Sequence, residues 1–148
     1  MTVEVYHIDD YKSGNRPYEG HHLNQEVKLT KSTMAIRLRK GDFYIPMDQV
    51  ANRYIFETLE PQGEDSFFTW NFFDPTLAQK EGYAAYSFED IAADYLSHNP
   101  ELRAKIETRK STDSVFARSA AAQLNYVYQQ SPWIEPAYMR YPVYRIAR

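Results

Sequence analysis

The four histidines, at positions 7, 21, 22 and 98, come first, because His with nearby acids is the commonest way to hold a catalytic zinc. His98-Asn99-Pro100-Glu101 has the His-x-x-Glu spacing of some zinc peptidases. No histidine follows it, so a third ligand would have to come from far upstream. Pro100 marks a helix start rather than a ligand platform. The motif therefore reads as a chance match. His21 and His22 lie beside Glu19, but neighbours on an extended segment point to opposite sides. They are expected to face solvent or to hydrogen-bond, not to share one ion. With no cysteine, thiolate sites, Cys nucleophiles and disulfides are excluded.

Other chemistry is thinner. The chain has no Gly-x-Ser-x-Gly elbow and no Ser-x-x-Lys pair in a credible context, and Ser111 and Ser114 read as helix caps. The five glycines, at 14, 20, 41, 63 and 82, are too scattered for a phosphate loop or a dinucleotide fingerprint. Glu57, Glu60, Glu64 and Asp65 surround a proline turn next to an aromatic segment. Two carboxylates beside Trp and Tyr are what a glycoside hydrolase needs. They are also what a helix end followed by a capped turn looks like, and spacing alone leaves the carboxyl separation open. Trp70, Trp133, Tyr138, Tyr141 and Tyr144 are the candidate binding residues, since an exposed Trp flanked by Tyr can stack on a sugar or pack on another domain. Phe67, Phe68, Phe72 and Phe73 are expected in the core.

Elements must position these groups. Thr2 to Ile8 is rich in Val, Tyr and Ile and predicts a strand; Asp9 to Gly20 predicts a loop. Leu23 to Leu29 and Met34 to Leu38 alternate apolar and polar residues, which predicts an antiparallel hairpin turning at Thr30 to Thr33. Phe43 to Pro46 predicts a short strand. Val50, Tyr54, Ile55 and Leu59 have helical spacing, stopped by Pro61 and Gly63. The segment EDSFFTWNFF at 64–73 predicts a short helix or tight turn plugged into the core. Phe88, Ile91, Ala92, Tyr95 and Leu96 form one apolar helical stripe, with Ser87 as the expected cap. Asn99-Pro100 starts a second helix carrying Leu102 and Ile106. Asp113 starts a third carrying Phe116, Ala120, Leu124 and Val127. Tyr141 to Ile146 is expected to return as a strand to the N-terminal sheet. Strands, then helices, then a last strand predict an α+β fold over residues 1–148 as a single domain.

Composition narrows the partners. The 148 residues suffice for a core without staples, and 16% of them are aromatic. A net charge of −3 argues against nucleic acid, which needs a basic face. Arg37 and Arg39 read as a solvated strand face. No apolar run reaches the roughly 20 residues of a membrane span. MTVEVYHIDD has no apolar signal-peptide region.

Several segments resemble the C-terminal region that follows the catalytic domain in bacterial zinc carboxypeptidases of the M14 type. They are RPYEGHHL from Arg16, KGDFYIPMDQ from Lys40, RYIFETLEPQGEDSFFTWNFFD from Arg53, QKEGY from Gln79, FEDIA from Phe88 and RYPVYRI from Arg140. They span nearly the whole chain in order, and LEP through WNFFD is the most specific part. The resemblance implies a parent peptidase, exported to the periplasm or the exterior. Its zinc would lie in an upstream catalytic domain held by a His-x-x-Glu pair and a later His. None of those ligands maps onto this chain. The chain is therefore expected to be a non-catalytic accessory domain with no cofactor of its own. Its expected partner is the upstream peptidase domain, with a peptide substrate as a further candidate. An independent peptide- or glycan-binding module and a hydrolase built on Glu57, Glu60, Glu64 or Asp65 are the competing expectations.

Overall fold

The computed structural model describes residues 1–146. The architecture is α+β: an N-terminal antiparallel sheet, then helices, then a C-terminal strand that returns to the sheet. The chain groups into two compact units, Met1–Ala78 with the segment from Ala137 onward, and Gln79–Pro136.

In the sheet unit, β1 (Thr2–Ser13) pairs antiparallel with β2 (Asn24–Ala35), from Thr2 opposite Ala35 to Ser13 opposite Asn24. β3 (Arg145–Ile146) pairs on the other side of β1, so the order is β2-β1-β3. β1 is central and buries residues of both faces, with Val3 and Val5 alternating against Tyr6 and Ile8. Tyr6 and Ile8 join Phe68, Leu77 and Tyr141 in the core. Tyr141 meets Phe73 edge-on at 5.3 Å and Phe68 at 6.3 Å. Burying a side chain of this size contributes about 1.5–3 kcal/mol.

Three expectations for this half are corrected. The hairpin does not turn at Thr30 to Thr33; those residues lie inside β2. That stretch holds no Gly, Pro, Asn or Asp to supply turn dihedrals, and its β-branched Thr residues suit a strand. The expected loop after Ile8 is instead strand as far as Ser13, with register shifts between Ile8 and Asp10 and between Asp10 and Lys12 that absorb the broken pattern. The real reversal is at Tyr18–His21, where backbone hydrogen bonds run both ways at 2.9 Å. Glu19 and Gly20 both have positive φ, 48° and 84°, the two-residue turn that matches strand twist. Finally, Phe43 to Pro46 is not a strand but exposed chain. α1 (Asn52–Leu59) and the single-turn α2 (Asp74–Leu77) complete the unit, and α1 buries none of its residues.

The helical unit contains α3 (Ala85–His98), α4 (Pro100–Thr112), α5 (Ser114–Arg118) and α6 (Ala120–Gln129). Its core is Phe88, Ala92, Leu102, Ile106, Phe116, Val127 and Tyr128. α3 starts before the expected cap: Ala84 is the N-cap, and Ser87 Oγ donates back to its carbonyl at 3.0 Å. The expected third helix is two. Asp113 Oδ1 accepts from Val115 N and Phe116 N, and Ser119 Oγ accepts from Ala122 N, so a second cap restarts the helix.

Candidate functional site

The sequence segment 60–74 builds the principal surface feature of the sheet unit. α1 ends where Glu60 N donates to Phe56 O, and Pro61 is buried. Gly63 N then donates to Glu60 O. A Cβ at Gly63 would overlap the Glu57 carbonyl, so only glycine allows this close return. Ser66, fully buried, accepts from Thr69 N at 3.0 Å, and Thr69 Oγ1 donates to Gly63 O at 2.9 Å.

Asn24, the first residue of β2, ties this loop to the sheet. Its Nδ2 donates to Phe68 O and to Asp74 Oδ1, each at 3.0 Å, and its Oδ1 accepts from Ser13 Oγ at 2.7 Å. Its backbone N donates to Thr69 O at 2.8 Å. A residue only 1% exposed thus satisfies its whole amide.

These bonds hold Trp70 at the edge of an open cleft of about 680 Å³. Its Nε1 donates to Asp65 Oδ1 at 3.3 Å. Tyr18, carried by the Glu19-Gly20 turn, tilts against it at 6.0 Å, and His21 meets it edge-on at 5.7 Å. Glu19, Glu26, Glu64 and Asp65 also line the cleft, and no lining side chain is cationic. Glu26 is paired with Lys12 Nζ at 2.6 Å. The volume suits a small ligand or a peptide side chain.

A second cluster is more enclosed. The Tyr6 hydroxyl lies 2.9 Å from Glu4 Oε1 and 3.1 Å from Glu60 Oε2, and accepts from Arg145 Nη1 at 3.4 Å. Arg145 Nε also reaches Glu60 Oε1 at 3.5 Å. Burial pushes the Tyr6 hydroxyl up to about 12; the Arg145 hydrogen bond opposes this, while Glu4 and Glu60 add to it. Burial also raises Tyr141, whose hydroxyl is enclosed without a hydrogen-bond partner among the described residues. The cluster ties β1, β3 and the turn at Glu60-Pro61 together through side chains from each.

The sequence candidates do not converge. Of the four acids, Glu60 enters the Tyr6 cluster, Glu57 lies along α1 beside Arg53, and only Glu64 and Asp65 reach the cleft. His21 Nδ1 meets Asn71 Oδ1 at 2.7 Å, whereas His22 Nδ1 meets the Gly14 carbonyl at 2.7 Å. His98 ends α3, and Glu101 belongs to α4. Among the described residues no three His, Asp or Glu side chains are grouped to hold a metal. Trp70 is half-buried at the cleft. Tyr138 and Tyr144 are half-buried in the sheet unit, and Tyr141 is wholly buried in its core. Tyr141 is therefore a packing residue: three aromatic neighbours and the sheet enclose its ring. Trp133 is 49% exposed and belongs to the helical unit, edge-on to Phe88 at 5.9 Å and Tyr95 at 5.5 Å.

Sequence reasoning missed the largest exposed apolar stretch. Leu38, Phe43, Tyr44, Ile45, Met47, Val50, Tyr54 and Phe56 are all exposed, Phe43 to 92% and Val50 fully. The available signal was the apolar run Phe43-Tyr44-Ile45 cut short by Pro46. Comparison of the chain with family models, curated proteins and solved structures finds no match.

Proposed function

We propose that this chain is a non-catalytic accessory domain that packs on an upstream zinc carboxypeptidase domain of the same polypeptide and shapes access to it. The sequence segments that resemble the C-terminal region of such enzymes support this, above all LEPQGEDSFFTWNFFD. The observation that carries it is the exposed stretch from Leu38 to Phe56. Soluble proteins rarely leave this many large apolar side chains in water unless a partner covers them. The zinc, general base and nucleophilic water would all belong to the partner, working in the periplasm or outside the cell. Two measurements test the proposal. DNA sequence upstream of the Met1 codon should encode, in frame, a domain with a His-x-x-Glu motif and a later His. Its absence rejects the proposal. The separately produced upstream domain should bind this chain, and Phe43→Ser with Val50→Ser should weaken binding at least about tenfold while leaving the fold intact.

The second reading is a peptide- or glycan-binding module, favoured by the Tyr18–Trp70 cleft. Trp70→Ala should then abolish binding of short oligosaccharides or peptides in calorimetric titration. The same substitution should leave association with the upstream domain unchanged if the first reading holds.

A further inference from the structure

Among the described residues β2 is an edge strand, and its register against β1 is unbroken from Ala35 to Leu29. Met1 N donates to Ile36 O and Ile36 N to Met1 O, each at 2.9 Å. The register continues through Val3 opposite Met34, Val5 opposite Ser32 and His7 opposite Thr30. In an antiparallel ladder, alternate residues exchange both hydrogen bonds with the partner, and those between them point the other way. The even residues of β1 point toward the C-terminal segment: Tyr141 N donates to Tyr6 O and Ile8 N to Met139 O. By the same alternation, the N–H and C=O groups of Leu29, Lys31, Thr33 and Ala35 point away from β1. None has a backbone partner among the described residues. The edge is closed lower down, where Gln62 Nε2 donates to Val27 O at 3.1 Å. From Thr30 to Thr33 every side chain is exposed, and the stretch from Leu29 to Ala35 contains no proline or glycine to block pairing.

The side chains select among occupants. Lys31 projects from the edge on the face shared with Tyr6, its Nζ 5.2 Å from the ring centroid. Lys28 stands at the near end of the same stretch, paired with Asp10. A second copy pairing antiparallel about this stretch would set the two Lys31 side chains opposite or diagonal to each other, which is repulsive. On the other face, Thr30, Ser32 and half-buried Met34 offer a mildly apolar row. We infer that the β2 edge from Leu29 to Ala35 is a docking strand for an extended acidic peptide that adds as a fourth strand, main chain to main chain. A carboxylate on its Lys31 side complements the lysine, and an apolar residue on the opposite face lies over Ser32 and Met34.

Amide hydrogen exchange on the labelled full chain tests this. The probe is an acetylated, amidated peptide of alternating Glu and Val, eight residues long. At saturation, exchange should slow by at least about tenfold at the amides of Lys31, Thr33 and Ala35, and change little at Ser32 and Met34, which already bond to β1. Thr33→Pro removes one outward donor that the fold does not use, so it should leave the sheet intact and abolish that protection. Lys31→Glu should reverse the preference, from the Glu-Val peptide to a Lys-Val peptide of the same length. No protection, protection without alternation, or equal binding of both peptides by the natural chain would overturn the inference. So would the same protection arising without peptide alongside a dimer in sedimentation, because the occupant would then be a second copy.

Discussion

Asn24 is the residue on which the cleft depends. Its amide bonds to the Phe68 carbonyl, the Asp74 carboxylate and the Ser13 hydroxyl. Asn24→Ala strands all three, two of them beside the core. Leaving buried polar groups unpaired costs about 1–3 kcal/mol each, so a loss of roughly 2–4 kcal/mol in urea unfolding is expected. In a Trp133→Phe background the Trp70 emission should also shift to the red, because the loop that holds the indole loosens. A loss below about 0.5 kcal/mol, the range of an ordinary surface substitution, would show that the loop is held elsewhere. This role was not legible in the sequence. Asn24 stands in an alternating run like any other outward polar residue, and only the loop from Ser66 to Asp74, folding back over the strand, buries it.

Capping chemistry decides the elements of the helical unit. Asp113 and Ser119 each satisfy the free N–H groups of a new helix within a few residues of one another. One helix starting at Asp113 and ended by Ser131, Pro132 and Pro136 is what the spacing of Phe116, Ala120, Leu124 and Val127 predicts. The break at Ser119 turns on a local competition that spacing does not register. Gln123 Nε2 then bridges back to the carbonyls of Phe116 and Ala117, both at 3.0 Å, and absorbs groups that the break leaves open. Asp113→Ala and Ser119→Ala should each lower the stability of this unit by about 1 kcal/mol, read as a lower midpoint in thermal or urea unfolding followed by circular dichroism. If Ser119→Ala instead raised stability, α5 and α6 would be joining into one helix, and the cap would not be the cause of the break.

At the scale of the whole molecule, the two cores should answer differently to alkali. Tyr6, Tyr11, Tyr138 and Tyr141 are raised by burial in the sheet unit, against Tyr83 in the helical unit. The unfolded chain loses the Tyr6 proton near 10, whereas the folded chain holds it up to about 12. The contribution of this group is therefore fully present below pH 10, declines as pH rises above it, and is gone above 12. The urea midpoint of the sheet unit should stay level to about pH 9 and fall steeply beyond it. Tyr6→Phe should flatten that fall while lowering stability at neutral pH, because Glu4, Glu60 and Arg145 lose their shared partner. An unchanged alkaline slope in Tyr6→Phe would mean that the hydroxyl is not enclosed in solution.

The order of elements was determined by local pattern. The strand composition of Thr2 to Ile8, the apolar stripe of α3 and the Asn99-Pro100 start are properties of short segments, whereas the alternation from Leu23 to Leu38 gave strand but not its unbroken length, and the strand expected over Tyr141 to Ile146 forms only at Arg145–Ile146. Among the described residues, no helix is long and apolar enough to cross a membrane, as hydropathy alone had indicated. What tertiary structure alone decided was pairing and exposure. It set which strand lies beside β1, which aromatic is enclosed (Tyr141) and which is left in water (Phe43), and where four neighbouring carboxylates go. Those outcomes depend on contacts between residues far apart in the chain. A single sequence carries side-chain identity but not the distances that turn identity into a core, a cleft or a free edge.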